Sequence, residues 1–183
     1  MFRRPLAYLA AMAIRPILIH PEPRLRKVAA PVEAIDDGLR ALADDMLATM
    51  YKAPGIGLAA PQVGVLRRVF VMDCSGQDEP DRPMVLLNPE IAWASDELVT
   101  SEEGCLSIPE VYDDVTRHAR VRMRWLGLDG EPHEEEFGER WAICAQHELD
   151  HLNGKLFIDY LGAVKRTMIT ARMKKLKKER ARA

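Results

Sequence analysis

The stretch Gln146-His147-Glu148-Leu149-Asp150-His151 lies in a run with helical periodicity, residues 139–153. Apolar residues recur there at intervals of three and four, and Gly154 follows where a helix would end. Because residues four apart share one face of a helix, both imidazoles can converge on one metal ion. Glu148 lies one step around the helix, within reach of a water molecule at that metal. The motif predicts two ligands and a base on a helix.

The third ligand separates the enzyme classes that use this motif. Metzincins need a histidine where this chain has Phe157, and thermolysin-type zincins need a downstream glutamate. The only acid after Asp159 is Glu179, which lies in a run of lysines and arginines. The chain therefore lacks the third ligand that either type of peptidase needs. The non-catalytic alternative is that the two histidines lie on the surface of an amphipathic helix. The upstream ligand candidates are the three cysteines and His20, His118 and His133.

Two glycine-containing segments supply further candidate residues. In residues 102–109, EEGCLSIP, the glycine before Cys105 lets the backbone approach a ligand closely and leaves N–H groups free to face a substrate. Residues 55–64, GIGLAAPQVG, carry the amide of Gln62 but lack the lysine and the Ser/Thr of a phosphate loop. On its own this second segment predicts a tight turn packed into the core. Cys74 and Cys144 are predicted to be small buried hydrophobes.

The composition is that of one globular domain. The chain has 183 residues, 48% hydrophobic and 30% charged, and about 100–200 residues make a domain. No apolar run approaches the roughly 18 residues of a membrane span, so we expect no membrane partner. Three cysteines are too few, and odd in number, for a disulfide framework. This usage indicates a reducing compartment and a cytoplasmic location.

The charge is unevenly distributed. Residues 165–183 contain nine Lys/Arg and one acid, which gives a charge of +8. Because the whole chain has a net charge of −2, the preceding 164 residues carry a charge of −10. A basic helix of this kind is most often a solvated face, and the alternative is contact with a polyanionic partner.

The first residues imitate a secretion signal. Arg3 and Arg4 precede an apolar run, but Tyr8 interrupts it and its length is at or below the roughly 7–15 residues of a signal core. We predict a disordered extension over residues 1–11, with Met12 as an alternative start, and one domain over residues 12–183.

Periodicity elsewhere predicts an α+β fold with small antiparallel or mixed sheets around the helix that carries the histidines. Asp36 and Asp37 can cap an N-terminal helix that ends before Pro54. Short strands are predicted at residues 67–73, 84–88 and 120–125, with a hairpin turn at Asp129-Gly130. After Asp159 a final helix carries the basic residues 165–183.

Taken together, three segments resemble the peptide deformylases. That family has an apolar Gly-x-Gly segment ending in Ala-Ala-x-Gln, a Glu-Gly-Cys-x-Ser segment and a Gln-His-Glu-x-Asp-His segment. Here they stand at residues 55–62, 103–107 and 146–151, in the family's order and without departure at any motif position. The flanking sequence is also similar, so the resemblance spans nearly everything after Met12. The extension before Met12 departs from the family's usual pattern.

The resemblance implies removal of the formyl group from the N-terminal formyl-methionine of new polypeptides. Cys105, His147 and His151 would hold one divalent metal ion, with ferrous iron the physiological ion and Zn²⁺, Ni²⁺ or Co²⁺ able to replace it. Glu148 would move the proton, while the Gln62 side chain and the Leu106 N–H would stabilise charge on the formyl oxygen. The residues implied to border the methionine pocket and the bound peptide are Ile56, Gly57, Glu103, Gly104, Ile143 and Cys144.

The partners implied are nascent formyl-Met polypeptides and, through the basic C-terminal helix, the ribosome. We expect no membrane and no DNA partner, and a monomer. Three alternatives remain: an HExxH metallopeptidase, an inactive family member that binds the ribosome or RNA, and a non-catalytic polyanion-binding protein. The last would leave all three motifs unexplained.

Overall fold

The computed structural model describes residues 12–182, so the extension predicted over residues 1–11 lies outside the described residues. The described part is α+β, as predicted. Its three α-helices are α1 (Asp37–Lys52), α2 (Glu139–Leu152) and α3 (Ala163–Arg180). Its strands are β1 (Gly57–Ala59), β2 (Val69–Met72), β3 (Met84–Ala94), β4 (Leu98–Cys105), β5 (Ile108–His118), β6 (Arg120–Leu126) and β7 (Pro132–Gly138). Short 3₁₀ helices span Pro23–Arg26, Ala60–Val63 and Phe157–Tyr160.

The strands form two antiparallel sheets. Five strands lie in the order β1-β2-β3-β6-β7, and β4 pairs with β5 in a separate hairpin. Outside these strands, one isolated parallel bridge joins Ala30 to Arg67. The hairpin of β4 and β5 matters for function, because it carries the Glu-Gly-Cys segment to the middle of α2.

Helix α1 begins where its sequence predicts. The Asp36 carboxylate accepts a hydrogen bond from the Leu39 N–H at 2.7 Å, a cap that contributes about 1 kcal/mol. The apolar face of the helix, including Met46 and Met50, is fully buried against the side of the sheet that holds Leu58. This packing sets the position of β1, which follows the helix after a short turn.

Helix α2 is buried on most of its circumference and is the central helix of the fold. Ala142 and Ala145 pack into the core formed with the five-stranded sheet, while the two histidines and Glu148 face the hairpin and β1. The helix ends before Gly154, whose φ is +73° and where a Cβ would lie 2.6 Å from the Arg26 carbonyl oxygen. Glycine is therefore required at this turn both by conformation and by space.

Helix α3 packs on the hairpin through a separate core. Met173 is fully buried and lies in a cluster with Ile108, Val115 and Phe157. Most of the remaining surface of the helix is exposed and basic. No helix within residues 12–182 combines the length and apolarity needed to cross a bilayer.

Several strands are not evident in the sequence. β4 and β5 form a hairpin with one face in solvent, and polar residues such as Thr100 and Glu102 obscure the alternation. β7 contains three consecutive glutamates, two of which pair with arginines of β6 across the exposed face. Residues 55–64 are a short strand followed by a 3₁₀ helix, a more ordered arrangement than the predicted tight turn.

Candidate metal centre

Three segments of the chain meet at one point. Cys105 ends β4, and His147 and His151 lie one turn apart on α2. The Cys105 Sγ lies 3.3 Å from the His151 Nε2, and one ligand atom from each of the three residues lies within 4.8 Å of the other two. A thiol and two imidazoles form a donor set that suits Zn²⁺ or Fe²⁺. The structure thus brings the three predicted ligands together as a possible metal site.

The protonation of His151 suits a ligand. Burial, together with the neighbouring His147, lowers the pKa of His151 well below its usual value. The ring is therefore neutral near pH 7, as metal coordination requires. Its Nδ1 is buried and has no hydrogen-bond partner within residues 12–182, while its Nε2 faces the thiol of Cys105.

A carboxylate behind His147 fixes the orientation of that ring. The Glu103 Oε2 lies 2.9 Å from the His147 Nδ1, which leaves Nε2 to face the other two ligands. Glu103 is itself held by Arg117, whose Nε and Nη2 donate to its two oxygens at 2.5 and 3.0 Å. Burial alone would raise the pKa of Glu103, but hydrogen bonds with His147 and Arg117 outweigh burial and lower it. Glu103 therefore stays ionised and orients the ligand, an arrangement typical of metal-binding histidines.

Glu148 is a buried carboxylate, and one of its oxygens makes no hydrogen bond to the described residues. Its side chain lies among the most buried polar groups, and Oε2 has no hydrogen-bond partner in the part of the chain that the structure describes. Burial raises the pKa of Glu148 to about 7. A carboxyl group with this pKa can both accept and release a proton near neutral pH.

Gly57 gives Glu148 its space. A Cβ at this position would lie 2.4 Å from the Glu148 Oε1 and 2.7 Å from the Cys144 Sγ. Neither distance leaves room for a methyl group, so β1 can approach α2 only because residue 57 has no side chain. Gly57, which the resemblance places at the pocket, is therefore also required for the packing of β1 on α2.

The Gln62 amide is oriented by its own loop. Its Oε1 accepts a hydrogen bond from the Ala59 N–H at 2.7 Å, so its Nε2 points towards Cys105 and Ser107, at 3.6 Å from Sγ and 3.3 Å from Oγ. The amide thus presents donor hydrogens beside the three ligand residues. Ser107 is fully buried, and its carbonyl also accepts a hydrogen bond from the His20 N–H.

The predicted pocket residues lie beside β1, at the end of β4 and on α2. Ile56 is 47% exposed, and its carbonyl oxygen lies 3.5 Å from the Sγ of the buried Cys144. Ile143 is half-buried, one helical turn before His147. Gly104 precedes Cys105 and pairs with Tyr112, whose ring would lie 2.5 Å from a Cβ at residue 104. Leu106, half-buried, follows Cys105 directly.

Comparison with known proteins places the chain in a family. A family model described as polypeptide deformylase matches residues 14–167. The chain belongs to the polypeptide deformylase family. It is 56% identical over 164 residues to the peptide deformylase of Phenylobacterium zucineum, covering 90% of this chain and 97% of that protein. It is 54% identical over 165 residues to that of Alkalilimnicola ehrlichii, covering 90% and 92%.

Solved deformylase structures share the fold. The chain superimposes on a peptide deformylase from Legionella pneumophila with a TM-score of 0.86 at 46% identity, covering 93% of this chain and 99% of that one. For the enzyme from Ehrlichia chaffeensis the TM-score is 0.88 at 35% identity, covering 92% and 99%. Family membership makes the chain an enzyme of the class that hydrolyses a formyl amide, and it disfavours the metallopeptidase alternative.

Two residues at the site were not predicted from the sequence to have a role. Ser107 lies within the Glu-Gly-Cys segment, but its contact with Gln62 joins positions 45 residues apart. Arg117 lies 14 residues beyond Glu103 on the opposite strand of the hairpin, and no local pattern marks it. Phe157, at the position of the missing metzincin histidine, stacks near His147 with ring centroids 6.3 Å apart.

Proposed function

We propose that this chain is a metal-dependent hydrolase that removes the formyl group from the N-terminal formyl-methionine of newly synthesised proteins and releases formate. The observation that carries the proposal is a buried Glu148 oxygen with no hydrogen-bond partner among the described residues, beside a Cys/His/His cluster in a chain of the deformylase family. Such a cluster supplies three protein ligands, and catalytic sites keep the fourth position open.

Cys105, His147 and His151 would hold one divalent ion, through Sγ and the two Nε2 atoms. Ferrous iron is the physiological ion in this proposal, and Zn²⁺, Ni²⁺ or Co²⁺ can take its place, because the donor set accepts all four. When bound, the ion supplies Lewis acidity at the formyl oxygen and makes a water molecule acidic enough to attack near neutral pH.

Glu148 takes the proton from the attacking water and delivers it to the departing amine. Its pKa of about 7 suits both steps, because the carboxylate form accepts and the acid form donates. The Gln62 Nε2 and the Leu106 N–H donate hydrogen bonds to the formyl oxygen as it gains charge, and loss of one such donor costs about 10²–10³ in rate. The orientation of the Gln62 amide by the Ala59 N–H supports this role.

The methionine side chain would lie in an apolar pocket bordered by Ile56, Ile143 and Cys144, which suits a flexible thioether. Gly57 and Gly104 would border the bound peptide through their backbones, because the space of a Cβ is filled by Glu148 at residue 57 and by Tyr112 at residue 104. In this arrangement Glu103 serves the pocket through its backbone, because its carboxylate is engaged by Arg117 and His147.

The decisive experiment measures formate released from a formyl-Met peptide by protein prepared anaerobically with Fe²⁺. The unformylated peptide and the Glu148→Gln variant are the matched controls. Formate release by the wild type alone supports the proposal. Cleavage of an internal peptide bond would favour the metallopeptidase, and metal-loaded wild type without either activity would indicate an inactive family member.

We also propose that the enzyme acts in the cytoplasm as a monomer and contacts ribosomal RNA through α3. Several basic residues of α3 pair with acids of the body, among them Lys165 with Asp113 at 2.8 Å. Among the basic residues of α3 that carry no ion pair within residues 12–182, Lys174, Lys178 and Arg180 lie in its C-terminal half and are available to a polyanion.

Co-sedimentation with ribosomes tests this contact. Changing Lys174, Lys178 and Arg180 together to glutamine should weaken binding, and the wild-type affinity should fall as salt rises. A matched control removes the same charge from β6 by changing Arg120, Arg122 and Arg124 to glutamine. Equal binding by the α3 variant and the wild type at low salt would contradict the contact.

A further inference from the structure

A buried ionic network lies behind the metal-binding face of His147. Arg117 is at its centre, with only 3% of its side chain exposed. Two of its nitrogens bind Glu103, which binds His147, and its third nitrogen, Nη1, donates to the Asp150 Oδ2 at 2.9 Å. One guanidinium group thus donates hydrogen bonds to two carboxylates through different nitrogen atoms.

Tyr160 closes the outer end of this network. Its hydroxyl donates to the same Asp150 Oδ2 at 2.8 Å, and the Arg117 Cζ lies 4.9 Å from the centroid of its ring. Tyr160 is itself 48% exposed, so it forms the boundary between the buried ions and water. It ends the 3₁₀ helix Phe157–Tyr160, which also carries the aromatic ring stacked near His147.

We propose that Tyr160 is a positioning residue for the metal site, which acts through Asp150, Arg117 and Glu103 to hold the His147 ring in its ligating orientation. The proposal rests on the proposed function only in requiring that Cys105, His147 and His151 bind a metal ion. It predicts that a partly exposed tyrosine, outside the motifs that identify the family, controls how firmly the metal is held.

The physical reason is competition for the guanidinium. The Tyr160 hydroxyl satisfies part of the Asp150 carboxylate, and its ring covers Arg117 from solvent by a cation–π contact. Without the hydroxyl, Asp150 interacts more strongly with Arg117. Without the ring, water competes for the N–H groups of Arg117. Either change loosens the two-point hold of Arg117 on Glu103. A carboxylate that orients a metal-bound histidine typically matters about 10- to 100-fold in metal affinity.

The test compares metal retention in full-length variants loaded with Co²⁺. Tyr160→Phe removes the hydroxyl but keeps the ring, and Tyr160→Leu removes both. The matched control is Tyr51→Phe, since Tyr51 is 46% exposed and donates to an aspartate, Asp73, at 2.6 Å, outside this network. The measurements are the rate of Co²⁺ transfer to a chelator, the visible absorption of the Co²⁺ protein and the thermal unfolding of the metal-free protein.

We expect Tyr160→Phe to lose Co²⁺ at least about threefold faster than the wild type, and Tyr160→Leu about tenfold faster, the lower end of the range for outer partners of a ligand. The absorption bands should shift in both variants, because the orientation of His147 changes. Tyr51→Phe should stay within about twofold of the wild type with an unchanged spectrum, while its metal-free form unfolds at a temperature similar to that of Tyr160→Phe.

A double-mutant cycle shows whether Tyr160 acts through Arg117. Arg117→Lys loses the two-point contact with Glu103, and in that background Tyr160→Phe should add less than about half of its single effect. Equal Co²⁺ retention and equal spectra for Tyr160→Phe and Tyr51→Phe would overturn the proposal, as would full additivity in the cycle.

These readouts use no substrate, so the two proposals fail separately. If the wild type binds Co²⁺ and the Tyr160 variants lose it faster, but no formate is released, the proposed function is wrong and the positioning role stands. If formate is released and the variants retain Co²⁺ like the control, the positioning role is wrong and the proposed function stands.

Discussion

The replacement Gly57→Ala tests how closely β1 must approach the catalytic glutamate. The added Cβ would lie 2.4 Å from the Glu148 Oε1, about 1 Å inside ordinary contact, and 2.7 Å from the Cys144 Sγ. The backbone of β1 is held by its pairing with β2, so the flexible end of Glu148 moves instead. A displacement of about 1 Å at a catalytic group costs about 10²-fold in rate.

We therefore expect Gly57→Ala to lower kcat for formate release about 10²-fold while the metal content stays at the wild-type level, because no ligand residue is displaced. Overpacking should lower the free energy of unfolding by about 1–3 kcal/mol. The assay is formate release by the Fe²⁺ enzyme, with elemental analysis and urea unfolding of the same samples.

Gly162→Ala is the matched control, because a Cβ at residue 162 would meet no atom within 4 Å among the described residues. This control should keep wild-type activity. If the kcat of Gly57→Ala is within about threefold of that of the control, or if the variant loses its metal, the steric reasoning is wrong.

Three further changes test the other parts of the site and its support. Cys105→Ala should leave too few ligands to hold the ion, so elemental analysis should find the metal lost and activity absent; a full complement of metal would contradict its place in the ligand set. Glu148→Gln should keep its metal and fold but lose about 10²–10⁴ in kcat, and wild-type turnover would rule out its role in proton transfer. His20 is buried, and burial together with Arg26 lowers its pKa from 6.5 to about 4. Because the unfolded chain takes up this proton first, stability should fall by about 3 kcal/mol as the pH drops from 6.5 towards 4. Urea unfolding of the metal-free protein should show a shallower fall for His20→Gln, and equal slopes would refute the assignment.

The regular elements that could be predicted are those with strong local signals. α1 has a capping aspartate and a buried face with helical spacing, and α2 has the same spacing and a terminating glycine. Such signals depend on residues within one or two helical turns of one another, so they can be recognised in the sequence alone. β4, β5 and β7 were not predicted, because their alternation depends on which face the rest of the chain covers.

By itself the sequence determined the chemistry of the site: two histidines one turn apart with a glutamate between them, a cysteine in a glycine-containing segment, and an amide in a third segment. Side-chain type and local spacing settle which groups are present, and a resemblance over three motifs then pointed to the family. The sequence also predicts the final helix after Asp159, which carries the basic residues.

Only the tertiary structure decided how these groups are oriented. The hold of Arg117 on Glu103, the contact of Gln62 with Ser107 and the close approach of Gly57 to Glu148 each join residues on different elements. The first two of these contacts alone span 14 and 45 residues. Such contacts form only when the hairpin, β1 and α2 pack against one another, and contacts between segments that are distant in the chain produce no periodic sequence pattern. The orientation of His147 and the burial that raises the pKa of Glu148 therefore belong to the folded protein, not to its motifs.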